Sequence, residues 1–194
     1  HCDADVDEQL SLLKEHDCPA SVMVLEAWSD ESTFYQWGGA WKNPKRMIQK
    51  VRDAGLHLVL WQIPVLKAVK DCADVETVRR DREEAAAKGW AIHHADGAPY
   101  IIPERWFEGS MLPDFTSPEA CEWWFSRREH LLRDGVEGFK TDGGEFLFGS
   151  DFLLRDGTPG VEAHNLYAMQ YVRAYNEWMR RQGVNGVTFS RAGY

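Results

Sequence analysis

Apolar positions change period along this chain in a regular order. Val6, Leu10 and Leu13 recur at helical spacing and predict a helix that stops before Cys18-Pro19. Ser21 to Leu25 is a near-continuous apolar run, the pattern of a strand covered on both faces. Asn43 and Pro44 read as an N-cap and first helical position, with Met47, Val51 and Ala54 as the buried stripe and Gly55 as the stop. Leu56 to Trp61 predicts a second buried strand, closed by Pro64, in which His57 is expected to be a satisfied core residue.

The alternation continues. Val75 to Lys88 reads as a helix ended by Gly89, and its run from Arg79 to Glu84 as a solvated face. Asp96-Gly97 between apolar flanks predicts a hairpin inserted at about 90–102. Thr116 or Ser117 with Pro118 starts a helix whose stripe is Ala120, Trp124 and Leu131, ending at Gly135. Gly138 to Asp142 follows as a strand. A long helix from about Glu162 to Arg181 carries Leu166, Met169, Tyr175 and Met179, and Val187 to Ser190 is a last strand.

Repeated βα order means a parallel sheet with helices outside. The strands lack a Gly-rich phosphate loop, which disfavours a dinucleotide-binding sheet. Glu26, Trp61, Asp142 and Arg191 fall at strand C-termini, where a (β/α)8 TIM barrel keeps its active site. The expected fold is therefore α/β, one domain over 1–194. It amounts to four barrel strands and a possible fifth near Met111 to Phe115, against about 250 residues for a whole barrel. The chain opens inside a helix, so it is expected to be an incomplete barrel lacking its first and last strands.

The stretch Gly138-Phe139-Lys140-Thr141-Asp142-Gly143 carries the most chemistry. Side chains alternate along a strand, so Lys140 and Asp142 point the same way, roughly 6.5 Å apart. An ammonium beside a carboxylate keeps it ionised, and an anion held at a strand end is suited to attack an electrophilic carbon. Taken in isolation, Lys-x-Asp reads first as a surface ion pair on a loop, and only its context favours chemistry.

Composition narrows the partners. Thirty-one acidic against 22 basic residues argue against nucleic acid or an anionic membrane surface. The nine tryptophans are too many and too large all to be core, and several sit in predicted loops, where an indole face suits either a sugar ring or loop packing. Cys2, Cys18, Cys72 and Cys121 lack metal-type or close spacing and are expected to be free thiols in a reducing, cytoplasmic setting. No apolar run reaches the length of a membrane span. His93 and His94 point to opposite faces of a strand, so neither a metal nor another cofactor is expected. Asp30 and Glu31 suit either a helix start or a sugar contact.

Five segments, in order, resemble glycoside hydrolase family 31, the retaining α-glucosidase and α-xylosidase family. They are Leu60-Trp61-Gln62-Ile63-Pro64, Asp114-Phe115-Thr116-Ser117-Pro118-Glu119-Ala120, Phe139-Lys140-Thr141-Asp142-Gly143-Gly144-Glu145, His164-Asn165-Leu166-Tyr167 and Phe189-Ser190-Arg191-Ala192-Gly193. The resemblance implies hydrolysis of terminal non-reducing α-glycosides by double displacement, with Asp142 as nucleophile. Lys140 and Trp61 would bind the sugar of an oligosaccharide or glycoside substrate, and Arg191 would hold sugar hydroxyls or orient a carboxylate. Glu26 stands where better-known members carry an aspartate, which makes an α-galactoside-type preference conceivable. The general acid/base of the family is expected beyond Tyr194, with Glu145 a supporting acceptor, and residues 1–194 alone are not expected to be a competent glycosidase. An α-galactosidase of a related family and a non-catalytic sugar-binding barrel remain the alternatives.

Overall fold

The computed structural model describes residues 1–191. Its elements in chain order are α1 (Asp3–Glu15), β1 (Val22–Leu25), α2 (Pro44–Asp53), β2 (His57–Gln62), α3 (Val75–Ala87), β3 (His93–His94), α4 (Pro118–Ser126), α5 (Glu129–Asp134), β4 (Gly138–Thr141), β5 (Phe152–Leu153), α6 (Gly160–Arg181) and β6 (Val187–Ser190). Among the described residues the main sheet has four strands in the order β1-β2-β4-β6, all parallel, with helices between them in sequence. This is the strand-and-helix repeat of a partial (β/α)8 barrel. β3 and β5 form a separate antiparallel pair.

Local chemistry sets the helix starts. Asn43 Oδ1 accepts the Arg46 N–H at 3.1 Å and Ser117 Oγ accepts the Ala120 N–H at 3.2 Å, each just ahead of a proline at the first helical turn. The helix expected to run from Ser117 to Gly135 is two, α4 and α5, broken at Arg127-Arg128. The break turns Arg128 inward, where it is fully buried.

Alternation along the strands gives the sheet two different faces. Leu58, Leu60, Gln62, Phe139 and Thr141 face the helices and are all buried. Tyr167, Tyr171, Ala174, Tyr175, Trp178 and Met179 of α6 cover them, and Phe139 lies 5.2 Å from Tyr175 and 5.7 Å from Trp178, centroid to centroid. The other face carries Val22 and Val24 of β1 and Val187 and Phe189 of β6, all exposed. β1 was expected to be covered on both faces. It is instead an edge strand of this sheet, and its inner face is open.

Several other expectations are corrected. Met111 to Phe115 is not a strand of the main sheet, because β4 pairs directly with β2 and leaves no slot between them. Met111 and Pro113 make isolated bridges to Leu66, Ile101 and Ala91 instead. His57 is exposed at the first position of β2, 3.2 Å from Glu137. Ala54 and Met169 are exposed, and Ile48 and Tyr171 take the expected inner positions. The charged run of α3 is not wholly solvated. Asp81 is buried, and Arg82 donates to the carbonyls of Leu66 (2.7 Å) and Gly109 (3.1 Å).

The segment 90–102 does turn at Asp96-Gly97: Gly97 has φ +86° and its N–H donates to the His94 carbonyl, while the His94 N–H donates to that of Ala98. No helix of the described residues is long and apolar enough to cross a membrane.

Candidate active site

Strand register brings one set of polar side chains to one rim. Trp61 pairs with Lys140 and Lys140 with Phe189, so Asp142 and Arg191 each stand just past the C-terminal end of their strand. Glu26 follows β1 at the same end. All five side chains share the direction of the inner face. Lys140, Trp61, Glu26, Arg191 and Asp142 therefore meet at one mouth.

Asp142 is the best-held group there. Trp61 Nε1 donates to its Oδ2 at 2.8 Å. Arg191 Nε donates to Oδ1 at 2.8 Å, and the Gly143 N–H to the same oxygen at 2.9 Å. The main-chain N–H of Asp142 is itself fixed by the Gln62 carbonyl at 2.9 Å. Gly143 adopts φ +73°, and a Cβ at this position would lie 2.5 Å from Ile63 Cδ1. Only glycine turns the chain sharply enough here to aim its N–H back at the carboxylate. Burial pushes the Asp142 pKa up, but the hydrogen bonds from Trp61, Arg191 and Gly143 and the Arg191 charge outweigh burial and hold it below the usual carboxylate value.

The cation of Asp142 is Arg191, and this corrects the expectation drawn from Lys140. Lys140 Nζ instead pairs with Glu26 Oε1, reaching from β4 across β2. Arg191 continues to Glu145, donating from Nη2 to Oε1 at 2.5 Å, so one guanidinium bridges two carboxylates. Glu145 is an acceptor of Arg191 in this arrangement. Ala192 and Gly193 of the last motif, and Tyr194, lie outside the described residues.

A cavity of about 590 Å³ opens onto Asp142, within the size range of small-molecule sites. Glu26, Glu31, Trp61, Lys67, Arg105 and Trp106 also line it. Lys140 and Arg191 are not part of its wall and act on it through Glu26 and Asp142. Trp106 is the aromatic residue that sequence alone did not single out. It is 47% exposed, 6.2 Å from Trp61 and 5.9 Å from Phe146, centroid to centroid, with left-handed residues Arg105 (φ +69°) and Phe107 (φ +64°) on either side. Six of the other tryptophans are buried, and Trp28, Trp41, Trp123 and Trp124 spend their N–H on Trp61 O, Ala27 O, Glu84 and Tyr175.

No helix starts at Asp30 and Glu31, which corrects one of the two roles expected of them. Asp30 Oδ1 caps the turn 32–34 by accepting the Thr33 and Phe34 N–H groups. Glu31 lines the cavity with φ +57°, and burial, opposed by the Lys67 charge, raises its pKa. His94 pairs with Asp151 at 3.1 Å, and no group of three His, Cys, Asp or Glu side chains among the described residues is placed to hold a metal. The four cysteines are free thiols.

Residues 1–194 match the glycosyl hydrolases family 31 TIM-barrel domain. The chain belongs to glycoside hydrolase family 31. It is similar to the isomaltosyltransferase of Sporosarcina globispora, 36% identical over 97% of this chain and 19% of that protein. It is also similar to the 1,3-alpha-isomaltosidase of Kribbella flavida, 34% identical over 91% of this chain and 27% of that protein. Among solved structures, the cycloalternan-forming enzyme from Listeria monocytogenes in complex with pentasaccharide substrate superposes with a TM-score of 0.92, 37% identical over 99% of this chain and 20% of that one. The chain thus spans about a fifth to a quarter of the curated relatives it matches.

Proposed function

We propose that this family 31 chain carries the nucleophile of a retaining α-glycosidase, and that the nucleophile is Asp142. The observation that carries the reading is the carboxylate itself, ionised by three donors at a barrel strand end and open to a sugar-sized cavity. Oδ1 already accepts two hydrogen bonds and Oδ2 one, which leaves Oδ2 better placed to attack the anomeric carbon. Attack forms a glycosyl ester as the bond to the leaving oxygen breaks. That oxygen takes a proton from a second carboxyl group, which then deprotonates the water that cleaves the ester. Retaining enzymes place the two carboxyl groups about 5–5.5 Å apart. Glu145 is tied to Arg191 and Glu26 to Lys140, so the acid/base is proposed to come from elsewhere in the barrel.

Glu26, oriented by Lys140, is proposed to bind the hydroxyls of the glycone, and Trp61 and Trp106 to wall the ring. The substrate is an oligosaccharide or glycoside with an α-linked unit. The isomaltosyl names of the two relatives above favour a second, finer reading: the transferred group is an α-1,6-linked diglucosyl unit rather than a single glucose or xylose. Nitrophenyl α-isomaltoside, α-glucoside, α-xyloside and α-galactoside, offered to the intact protein, separate these readings. Release from the isomaltoside with retention of the anomeric configuration, followed by NMR of the first product, is the expected result. Inversion would sink the double-displacement mechanism, and turnover of the galactoside alone would sink the glucosyl reading.

A further inference from the structure

On the helix-facing side of β2, two consecutive arginines converge on a small void. We propose that this void binds a single halide-sized anion, chloride by chemistry, held by Arg127 Nε and Arg128 Nη2.

The break between α4 and α5 is what brings the two guanidinium groups inside. Arg128 is fully buried. Its Nε donates to Gln62 Oε1 at 2.7 Å, its Nη1 donates to the Trp124 carbonyl at 2.9 Å, and its charge lies 3.6 Å from the Trp124 ring centroid. Every one of those partners is neutral, and Arg128 has no carboxylate ion pair among the described residues. Arg127 differs: its Nη2 reaches Asp81 Oδ1 and Glu84 Oε2, both at 3.1 Å. What remains on each is one buried N–H without an acceptor among the described residues, Nε of Arg127 and Nη2 of Arg128.

Both residues line a void of about 10 Å³, room for one species the size of a water molecule or slightly larger and too little for sulfate or phosphate. Lys67 and Asp81 line it too. Asp81 is already engaged, Oδ2 by the Tyr35 hydroxyl at 2.8 Å and Oδ1 by Arg127 and Arg80. Arg127 is matched by Asp81 and Glu84, and Lys67 Nζ donates to the Glu31 carbonyl at 2.6 Å, so the fully buried Arg128 is the cation left without a carboxylate of its own among the described residues. Removing an ion from water without a counter-ion costs several kcal/mol. A water would satisfy the two N–H groups and leave that charge unmatched, whereas a halide satisfies both.

The test uses the intact protein at constant ionic strength, exchanging sodium gluconate for sodium chloride. Specific binding to the native state makes Tm climb with the logarithm of chloride concentration, by a few degrees per tenfold. Arg127→Gln should flatten that slope. Crystals grown in bromide should show an anomalous peak within hydrogen-bond distance of both guanidinium groups, a readout that needs no variant and decides the matter if Arg127→Gln fails to fold. Equal Tm in chloride and gluconate, an unchanged slope in Arg127→Gln, or a water without anomalous signal in the bromide crystals would each overturn the proposal.

Discussion

Two carboxylate–cation pairs share the mouth of the sheet, and they are built differently. The Asp142 side chain is 9% exposed, with three donors on its two oxygens, one of them the main-chain N–H of a left-handed glycine. The Glu26 side chain is 63% exposed and has the single flexible ammonium of Lys140. A group that must present one oxygen to one carbon needs fixed geometry and a fixed charge state. A group that meets hydroxyls of a variable sugar needs reach. The difference supports the proposal that the first pair does chemistry and the second recognition, and experiment can break it.

The largest effect is expected at Asp142. Asp142→Ala removes the attacking atom and should lower kcat/KM on a nitrophenyl α-glycoside by roughly 10⁴-fold or more, as for nucleophile deletions in other covalent enzymes. A fall of tenfold or less would place the nucleophile elsewhere. Next come its donors. Trp61→Phe deletes one fixed hydrogen bond to the reacting carboxylate and should cost about 10²–10³-fold in kcat, the scale of losing a preorganised donor.

The same variant has a pH signature. Burial raises the Asp142 pKa and the donors more than offset it, so the acidic limb of the wild-type rate profile should fall below the ordinary carboxylate range. Without the Trp61 donor the limb should move to higher pH. An unmoved limb would show that Trp61 does not tune this group.

Glu26 should matter less. Glu26→Asp shortens the reach by one methylene and should change the ratio of kcat/KM between glucosyl and xylosyl substrates by about 10–100-fold, the scale of one altered pocket contact. Stability should change by no more than about 1 kcal/mol, because the pair is exposed. A change in stability without a change in that ratio would make Glu26 a structural residue.

The smallest expected effect is on folding. The folded-state pKa of Asp142 is depressed, so its contribution to stability is present above the unfolded value and lost as pH falls through the folded one. Urea midpoints of wild type and Asp142→Asn should therefore converge at low pH. Parallel midpoints across the whole acid range would contradict the linkage.

Much of this was legible in the sequence because local rules and tertiary context agree there. A cap followed by proline marks a helix start at 43–44 and 117–118, and the runs 21–25, 56–61 and 187–190 read as strands that the structure places at 22–25, 57–62 and 187–190. Period-2 alternation placed Lys140 and Asp142 on one face, and the strand C-termini brought Glu26, Trp61 and Arg191 to the same mouth. What it could not give is which cation meets which anion, since that depends on how far side chains reach across neighbouring strands. Lys140 crosses β2 to Glu26, and Arg191, 49 positions away in sequence, takes Asp142. Arg128 was hidden for a similar reason. Its charged neighbours in sequence suggest a surface, and only the break between α4 and α5 turns it under β2. Trp106 lies in a loop whose path rests on left-handed non-glycine residues, a conformation that composition does not announce.

The central claim is that Asp142 forms the covalent bond to the sugar, and covalent trapping tests it most directly. The intact protein would be incubated with a fluorinated α-glycosyl fluoride, digested with protease and sequenced by mass spectrometry. The account predicts one glycosylated peptide containing Phe139-Lys140-Thr141-Asp142-Gly143, with the added mass on Asp142. A label on Glu145, Glu31 or any other carboxylate would contradict it.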